Sequence, residues 1–193
     1  MERCDWPGKN PLMIKYHDEE WGVPLHDDKK LYEFLLLDAF QAGLSWEIVL
    51  NKRENFRKAF NNFDFYKIAK YNETKIKSLL NNQGIIRNQL KIKSTIQNAK
   101  AFIEIIKEFG SFDKYIWSFV TKPIQNSHKN IKDLPPKTEL SDKISIDLKK
   151  RGMNFVGSTI IYAFMQAIGM VNDHQVKCFR YKQLFNTIPT IST

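Results

Sequence analysis

Apolar residues recur at helical spacing along most of this chain, and strict apolar–polar alternation is scarce. The pattern predicts an all-α fold. The strongest stretch starts at Asp27 or Asp28, either of which can cap a helix running to about Ala42. Leu31, Phe34, Leu35 and Asp38 share one face of it, and Leu36, Leu37 and Phe40 cover much of the rest. A helix apolar nearly all round is a central, buried one.

Gly43 breaks that helix, and Ser45 can cap the next, which is expected to run to about Phe60. Short helices follow near Asp64–Tyr71 and Glu73–Asn81, then a tight connection at Gln83-Gly84-Ile85-Ile86-Arg87. A long helix from about Asn88 to Phe109 ends at Gly110, and another covers Phe112–Val120. Residues 121–137, with Pro123, Pro135 and Pro136, read as a loop or lobe boundary. A helix near Ser141–Arg151 stops at Gly152, and Gly157-Ser158 opens an apolar one that ends at Gly169. Asp173 can cap a last turn holding His174 and Cys178. The stretch before Pro24, with Pro7, Pro11 and Gly22, reads as irregular. Residues 1–185 are expected to form one domain, or two helical lobes around one cleft, and 186–193 an unstructured tail.

Composition narrows the function. The chain has 193 residues and a formal net charge of +9, which favours partners bearing phosphates, nucleic acid first and an acidic membrane surface second. A lysine-rich genome would give the same charge without any partner. No apolar run approaches the ~20 residues that span a bilayer, and the first residues carry no secretory core. A cytoplasmic, reducing location is expected. There the two cysteines favour metal over a disulfide.

Those cysteines, Cys4 and Cys178, each have a histidine within reach in sequence, His17 and His174. His174 and Cys178 are spaced i, i+4, one face of a helix if the segment is helical. Two thiolates and two imidazoles suit a closed, tetrahedral structural zinc site, one ion per chain, tying the two ends of the chain together. A disulfide, two unrelated pairs, or plain burial of the cysteines remain open on spacing alone. His26 and His128 lack such partners and read as surface residues.

A second constellation combines rings and acids. Tyr16-His17-Asp18-Glu19-Glu20-Trp21 flanks carboxylates with aromatics, Asp38 lies on an apolar stripe, and Trp46 opens a helix just beyond. A carboxylate among apolar neighbours must find a partner or shift its pKa. Rings and a carboxylate together suit a flat, cationic base. The plainer alternative is core packing for the tryptophans and an ion pair for the acid. An enzyme acting on a base in duplex DNA must flip it out, and the apolar tip Ala42-Gly43-Leu44 can serve as the wedge, with Gln41 and Gly43 beside it on the DNA. The connection at Gly84, Arg87 and Lys91 can grip phosphates at a helix start or be a purely structural hairpin.

These stretches lie among longer runs: Met1-Glu2-Arg3-Cys4, Tyr16-His17-Asp18-Glu19-Glu20-Trp21-Gly22-Val23-Pro24, Gln41-Ala42-Gly43-Leu44-Ser45-Trp46, Lys52-Arg53-Glu54-Asn55, Gly84-Ile85-Ile86-Arg87, Trp117-Ser118-Phe119-Val120, Leu148-Lys149-Lys150-Arg151-Gly152, Phe164-Met165-Gln166-Ala167 and Val171-Asn172-Asp173-His174. With them the chain resembles the DNA-3-methyladenine glycosylase I family from Met1 to about Cys178. The resemblance implies the helix-hairpin-helix glycosylase fold. It implies structural zinc on Cys4, His17, His174 and Cys178, a base pocket of Tyr16, Trp21 and Trp46, Leu44 as the plug, and the hairpin around Gly84–Lys91 on DNA. It further implies a monofunctional repair enzyme that frees 3-methyladenine, and 3-methylguanine less well, from double-stranded DNA.

Two positions depart from the family's pattern. The family places a glutamate, its base-recognising acid, where this chain has Asp38, whose reach is shorter by about 1.5 Å, one C–C bond. An aromatic is replaced by Met13, which can still pack on a ring edge. The family also lacks the water-activating aspartate of its fold relatives, since a cationic methylated purine is already a good leaving group. The rival readings are a non-catalytic binder of alkylated DNA and a catalytic zinc hydrolase. A monomer is the default.

Overall fold

A computed structural model describes the chain over residues 1–186, with the side chains of the last two excepted. The core is organised by helix α2 (Asp28–Gln41), as its pattern predicts. Asp27 caps it by accepting from the Lys30 N–H at 2.8 Å, and every residue from Leu31 to Phe40 is buried. Helices α3 (Trp46–Asn51), α7 (Gln89–Phe109), α8 (Phe112–Trp117) and α10 (Ser158–Ala167) pack around it.

The first helix overturns an expectation. Residues 11–19 form α1 (Pro11–Glu19), where irregular chain is predicted. Pro11 stands at the helix start, where its missing N–H costs nothing, and Asn10 accepts from the Leu12 N–H at 2.9 Å. The expected Ser45–Phe60 helix is two, α3 and α4 (Arg53–Ala59), which meet at Lys52. Helices α5 (Phe65–Ile68) and α6 (Glu73–Asn81) follow as predicted, and α7 ends at Gly110, whose φ of 88° needs glycine.

In the loop after α8, β1 (Ile124–Gln125) pairs in parallel with β2 (Val171–Asn172), a short ribbon the sequence pattern does not announce. α9 (Glu139–Lys150) and α10 are joined through residues 151–157 into a hairpin of helices and pack closely. α11 (Phe179–Asn186) closes the described chain, so Asn186 is helical rather than tail, and 187–193 lie outside the described residues. The segment 173–178 is not helical: it runs extended and then turns, with the Cys178 N–H bonded to the Gln175 carbonyl at 2.8 Å.

One backbone crossing sets the site. The N–H groups of Gly22 and Leu25 bond to the carbonyls of Gln166 and Ile168, both at 3.0 Å. Gly169 lies against this crossing at φ 72°, and a Cβ there would collide with the backbone of Val23 and Pro24. Trp21 is thereby fixed beside the C-terminal end of α10. Among the described residues no helix is long and apolar enough to cross a membrane.

Candidate active site

Where α1, α2, α3 and α10 converge, a cavity of about 180 Å³ opens. α1 supplies Tyr16, and the chain just past it supplies Trp21. α2 supplies Asp38 and Gln41, three apart and so on one helix face. Trp46, the first residue of α3, closes one side. The sequence-predicted ring and carboxylate residues therefore meet at one place. Tyr16 and Trp46 lie with ring centroids 5.1 Å apart, and Trp6 meets Trp21 at 5.0 Å, edge to face.

Three lining residues carry no role in the sequence reading: Trp6, Ala163 and Gln166. Gln166 did leave a signal, as a lone amide in the apolar run Phe164-Met165-Gln166-Ala167-Ile168.

Asp38 is 2% exposed, and its Oδ2 has no hydrogen-bond partner among the described residues. Burial alone pushes its carboxyl well above the usual carboxylate range, with no cation beside it to pull it back. Tyr16 is pushed up too, first by burial and then by the negative charge of Asp38, so it keeps its hydroxyl proton. The indole N–H groups of Trp6 and Trp46 are likewise buried without acceptors. Buried polar groups are almost always paired. Here one acceptor and two donors stand unpaired around a single ring-lined cavity.

A larger cavity of about 480 Å³ lies on the other side of Phe34, among Glu20, Glu33, Arg53 and Arg57. Its charges are spent on each other: Arg53 bonds both oxygens of Glu20 at 2.8 Å and Glu33 at 2.7 Å, and Arg57 bonds Glu33 at 2.8 Å. None of its lining residues holds a buried polar atom left unpaired, in contrast to the smaller cavity.

Behind the wall of Trp6 and Trp21 sits the cysteine–histidine cluster. Cys4, His17, His174 and Cys178 are all buried, and their ligand atoms lie within 4.8 Å of one another. The cysteines are free thiols. Nδ1 of His174 lies 3.5 Å from both sulfurs, and Nε2 of His17 lies 3.5 Å from that of Cys178. For bonds of ~2.0–2.3 Å, ligands at the corners of a tetrahedron stand ~3.3–3.8 Å apart. The outward ring nitrogens are both engaged: His17 Nδ1 with Asp18 at 2.7 Å, itself gripped by Arg3, and His174 Nε2 with the Trp21 carbonyl at 3.0 Å. Such contacts fix the tautomer that turns the other nitrogen inward. The Cys4 thiol and both imidazoles hold Cys178 well below the usual thiol range, while the same contact and burial push Cys4 up. The donor set fits one tetrahedral cation. The spacing predicts that His174 and Cys178 meet across a helix face; they converge through a turn instead.

One rim of the cavity carries an exposed tip. Leu44 is 39% exposed, Gly43 next to it has φ 77° and open space on its Cβ side, and Ile48 is exposed as well. Lys91 corrects an expectation. It is buried, and its ammonium donates to the carbonyls of Phe40 at 2.8 Å and Ala42 at 2.5 Å, so it ties down the end of α2 and cannot reach a phosphate. Gly84 is similarly spent: its N–H bonds to Asn82 at 2.8 Å, and Asn55 packs against it. The start of α7 is capped by Asn88, at 3.0 Å from the Lys91 N–H. Arg87 alone of that trio is exposed.

The other helical hairpin has the opposite character. Its turn is braced from behind, by Asn98 on both the N–H and the carbonyl of Asn154 at 2.8 and 2.9 Å, and by Ser145 on the Val156 carbonyl at 2.6 Å. α10 begins at Gly157 with no side-chain cap, and the space over Gly157 is open. No side chain among the described residues caps the first N–H groups of α10, the helix that also carries Gln166.

The sequence pattern of the methyladenine glycosylase family matches residues 6–181. DNA-3-methyladenine glycosylase 1 of Escherichia coli is 47% identical over 182 residues, 94% of this chain and 97% of its own. The DNA-3-methyladenine glycosylase of Haemophilus influenzae is 46% identical over 177 residues, 91% of this chain and 96% of its own. A crystal structure of 3-methyladenine DNA glycosylase I superposes with a TM-score of 0.90 at 47% identity, covering 92% of this chain and 98% of that one. A Staphylococcus aureus structure described as the basis of 3-methyladenine recognition gives 0.89 at 32% identity, covering 92% and 95%. With the family pattern spanning nearly its whole length, the chain belongs to the methyladenine glycosylase family.

Proposed function

We propose that this protein is a DNA-repair N-glycosylase that releases 3-methyladenine from alkylated double-stranded DNA. The observation that carries this reading is Asp38: a buried carboxyl with an unpaired oxygen, in a cavity walled by Tyr16, Trp21 and Trp46. An N3-methylated adenine still bonded to its sugar is flat and cationic. Its charge supplies the partner that Asp38 lacks, and its faces stack on the rings. A normal purine brings no charge to repay the cost of ionising a buried acid.

The reaction then asks little of the protein. The base departs with the electron pair of the glycosidic bond and becomes neutral, water adds to the sugar carbon, and the water's proton goes to solvent. Asp38 and the rings hold the flipped base, Leu44 with Gln41 and Gly43 fills the gap in the duplex, and the open start of α10 with Arg87 seats phosphates. No lysine lines the cavity, so no Schiff base forms and the strand stays intact with an abasic site. The pocket admits 3-methylguanine more weakly.

Cys4, His17, His174 and Cys178 hold one zinc ion in a structural role; all four positions are filled by protein, which leaves none for water. Bound there, the ion supplies cross-linking of the two ends of the chain and no chemistry on the base. Residues 1–185 work as one domain around the cleft, as a monomer in the cytoplasm.

Methylated duplex DNA incubated with the protein is expected to yield free 3-methyladenine by chromatography and alkali-labile, uncut strands. Folded, metal-loaded protein that binds methylated DNA yet frees no base overturns catalysis in favour of a damage-binding protein.

A further inference from the structure

Asp173 is 1% exposed and accepts four hydrogen bonds. They come from the Tyr162 hydroxyl at 2.6 Å, Asn126 Nδ2 at 2.6 Å, Gln166 Nε2 at 2.8 Å and His128 Nε2 at 3.2 Å. Of these partners, Gln166 lines the base cavity, as does Ala163 three residues earlier on the same face of α10. A side-chain amide can turn either way, and its oxygen and nitrogen have opposite hydrogen-bonding character. At Gln166 the choice is made from behind. A carboxylate accepts and cannot donate, so the amide nitrogen must face Asp173, and the carbonyl Oε1, engaged by none of the hydrogen bonds among the described residues, is the end of the amide free for the cavity that Gln166 lines.

Resting on the function proposed above, we propose that Gln166 is a specificity-determining residue that accepts a hydrogen bond from the 6-amino group of the flipped base, and that Asp173 is the positioning residue that fixes its amide. Adenine presents a donor at its 6-position and guanine an acceptor. A carbonyl held in place therefore attracts the 6-amino purine and opposes the 6-oxo one. A freely turning amide would serve both. The selection acts at a different point from Asp38: Asp38 responds to the charge that methylation creates, and Gln166 reads which purine carries it.

The test uses the free bases 3-methyladenine and 3-methylhypoxanthine, which differ at the 6-position as amine against carbonyl, with binding followed by quenching of tryptophan fluorescence. The whole protein is expected to prefer 3-methyladenine by about ten-fold or more, a single hydrogen-bond discrimination. Gln166→Met should lose most of that preference through weaker 3-methyladenine binding. Asp173→Asn, which lets the amide turn, should narrow it through stronger 3-methylhypoxanthine binding. A parent protein without preference overturns the proposal, as does an unchanged ratio in either variant that keeps its helical circular dichroism. Failure of the parent to bind either base contradicts the pocket itself and so the proposed function, a separate result.

Discussion

His174 and Trp21 touch twice: the imidazole Nε2 donates to the Trp21 carbonyl at 3.0 Å, and the two rings meet edge to face with centroids 4.6 Å apart. Trp6 meets the ring of His17 edge to face, with centroids 5.4 Å apart. Two walls of the base cavity are therefore the outer faces of the cysteine–histidine cluster. Loss of the metal should be felt in the pocket although the metal takes no part in the reaction.

Cys178→Ser is accordingly expected to abolish stoichiometric zinc by elemental analysis. A loss of roughly 3 kcal/mol or more lowers Tm by about 6–12 °C in a chain of this size. Chelation of the parent should do the same, and binding of free 3-methyladenine should weaken in step with metal loss. Unchanged metal content in the variant would show that the ligands are wrongly assigned.

Leu44 is exposed and supports little of the fold. Leu44→Ala should leave Tm nearly unchanged, within ~0.5 kcal/mol. It should slow release from duplex DNA by about ten-fold, ~1.4 kcal/mol, and leave binding of the free base intact. Equal loss with single-stranded and duplex substrates would count against a wedge.

Lys91 lies beneath that wedge. Its ammonium closes the end of α2 through the Phe40 and Ala42 carbonyls and lies 5.9 Å from the ring of Phe155 in the α9–α10 turn. Lys91→Met leaves two carbonyls short of a donor, at a cost of ~1–3 kcal/mol in a melting experiment. The salt dependence of DNA binding should hardly change, because this charge does not meet a phosphate. A clear drop in the salt slope, by about one, would restore it to the DNA surface.

The protein should be more stable without its acid. The Asp38 carboxyl has a folded pKa above its unfolded value. Its favourable contribution to folding is complete below the unfolded value and is lost as pH rises through the folded one. At neutral pH it is thus a liability, kept for function. Asp38→Asn should raise stability by ~1–3 kcal/mol at pH 8, with a smaller gain near pH 4, while base release falls. Destabilisation that grows with pH would mean that the carboxylate has a partner after all.

Much of this was legible before any coordinates. Eight apolar or aromatic residues within α2 announce a buried helix, and the charge of Asp38 stands out against them. The ring residues and the four cysteine and histidine positions could be gathered from their types and order. Other features hid for physical reasons. Pro11 reads as a breaker, yet at a first helical position it is a starter. His174 and Cys178 come together through a turn that happens to satisfy helical spacing. Lysine is assigned to the surface by default, and nothing in the sequence tells that Lys91 folds inward onto two carbonyls. Gly84 and Gly157 look alike in sequence. Only the structure separates a connection capped by Asn88 from a helix start left open.

The central claim is that an ionisable Asp38, starved of partners, recognises the positive charge of the alkylated base. Below its raised pKa the group is neutral, and above it the group is the carboxylate that attracts the cation. The most direct measurement is kcat/KM for 3-methyladenine release from duplex DNA against pH, for the parent and Asp38→Asn side by side. The parent profile is expected to climb with pH through a window above the ordinary carboxylate range, and the variant's to be low and flat. A parent profile flat across that window, or a variant that retains the rise, would contradict it.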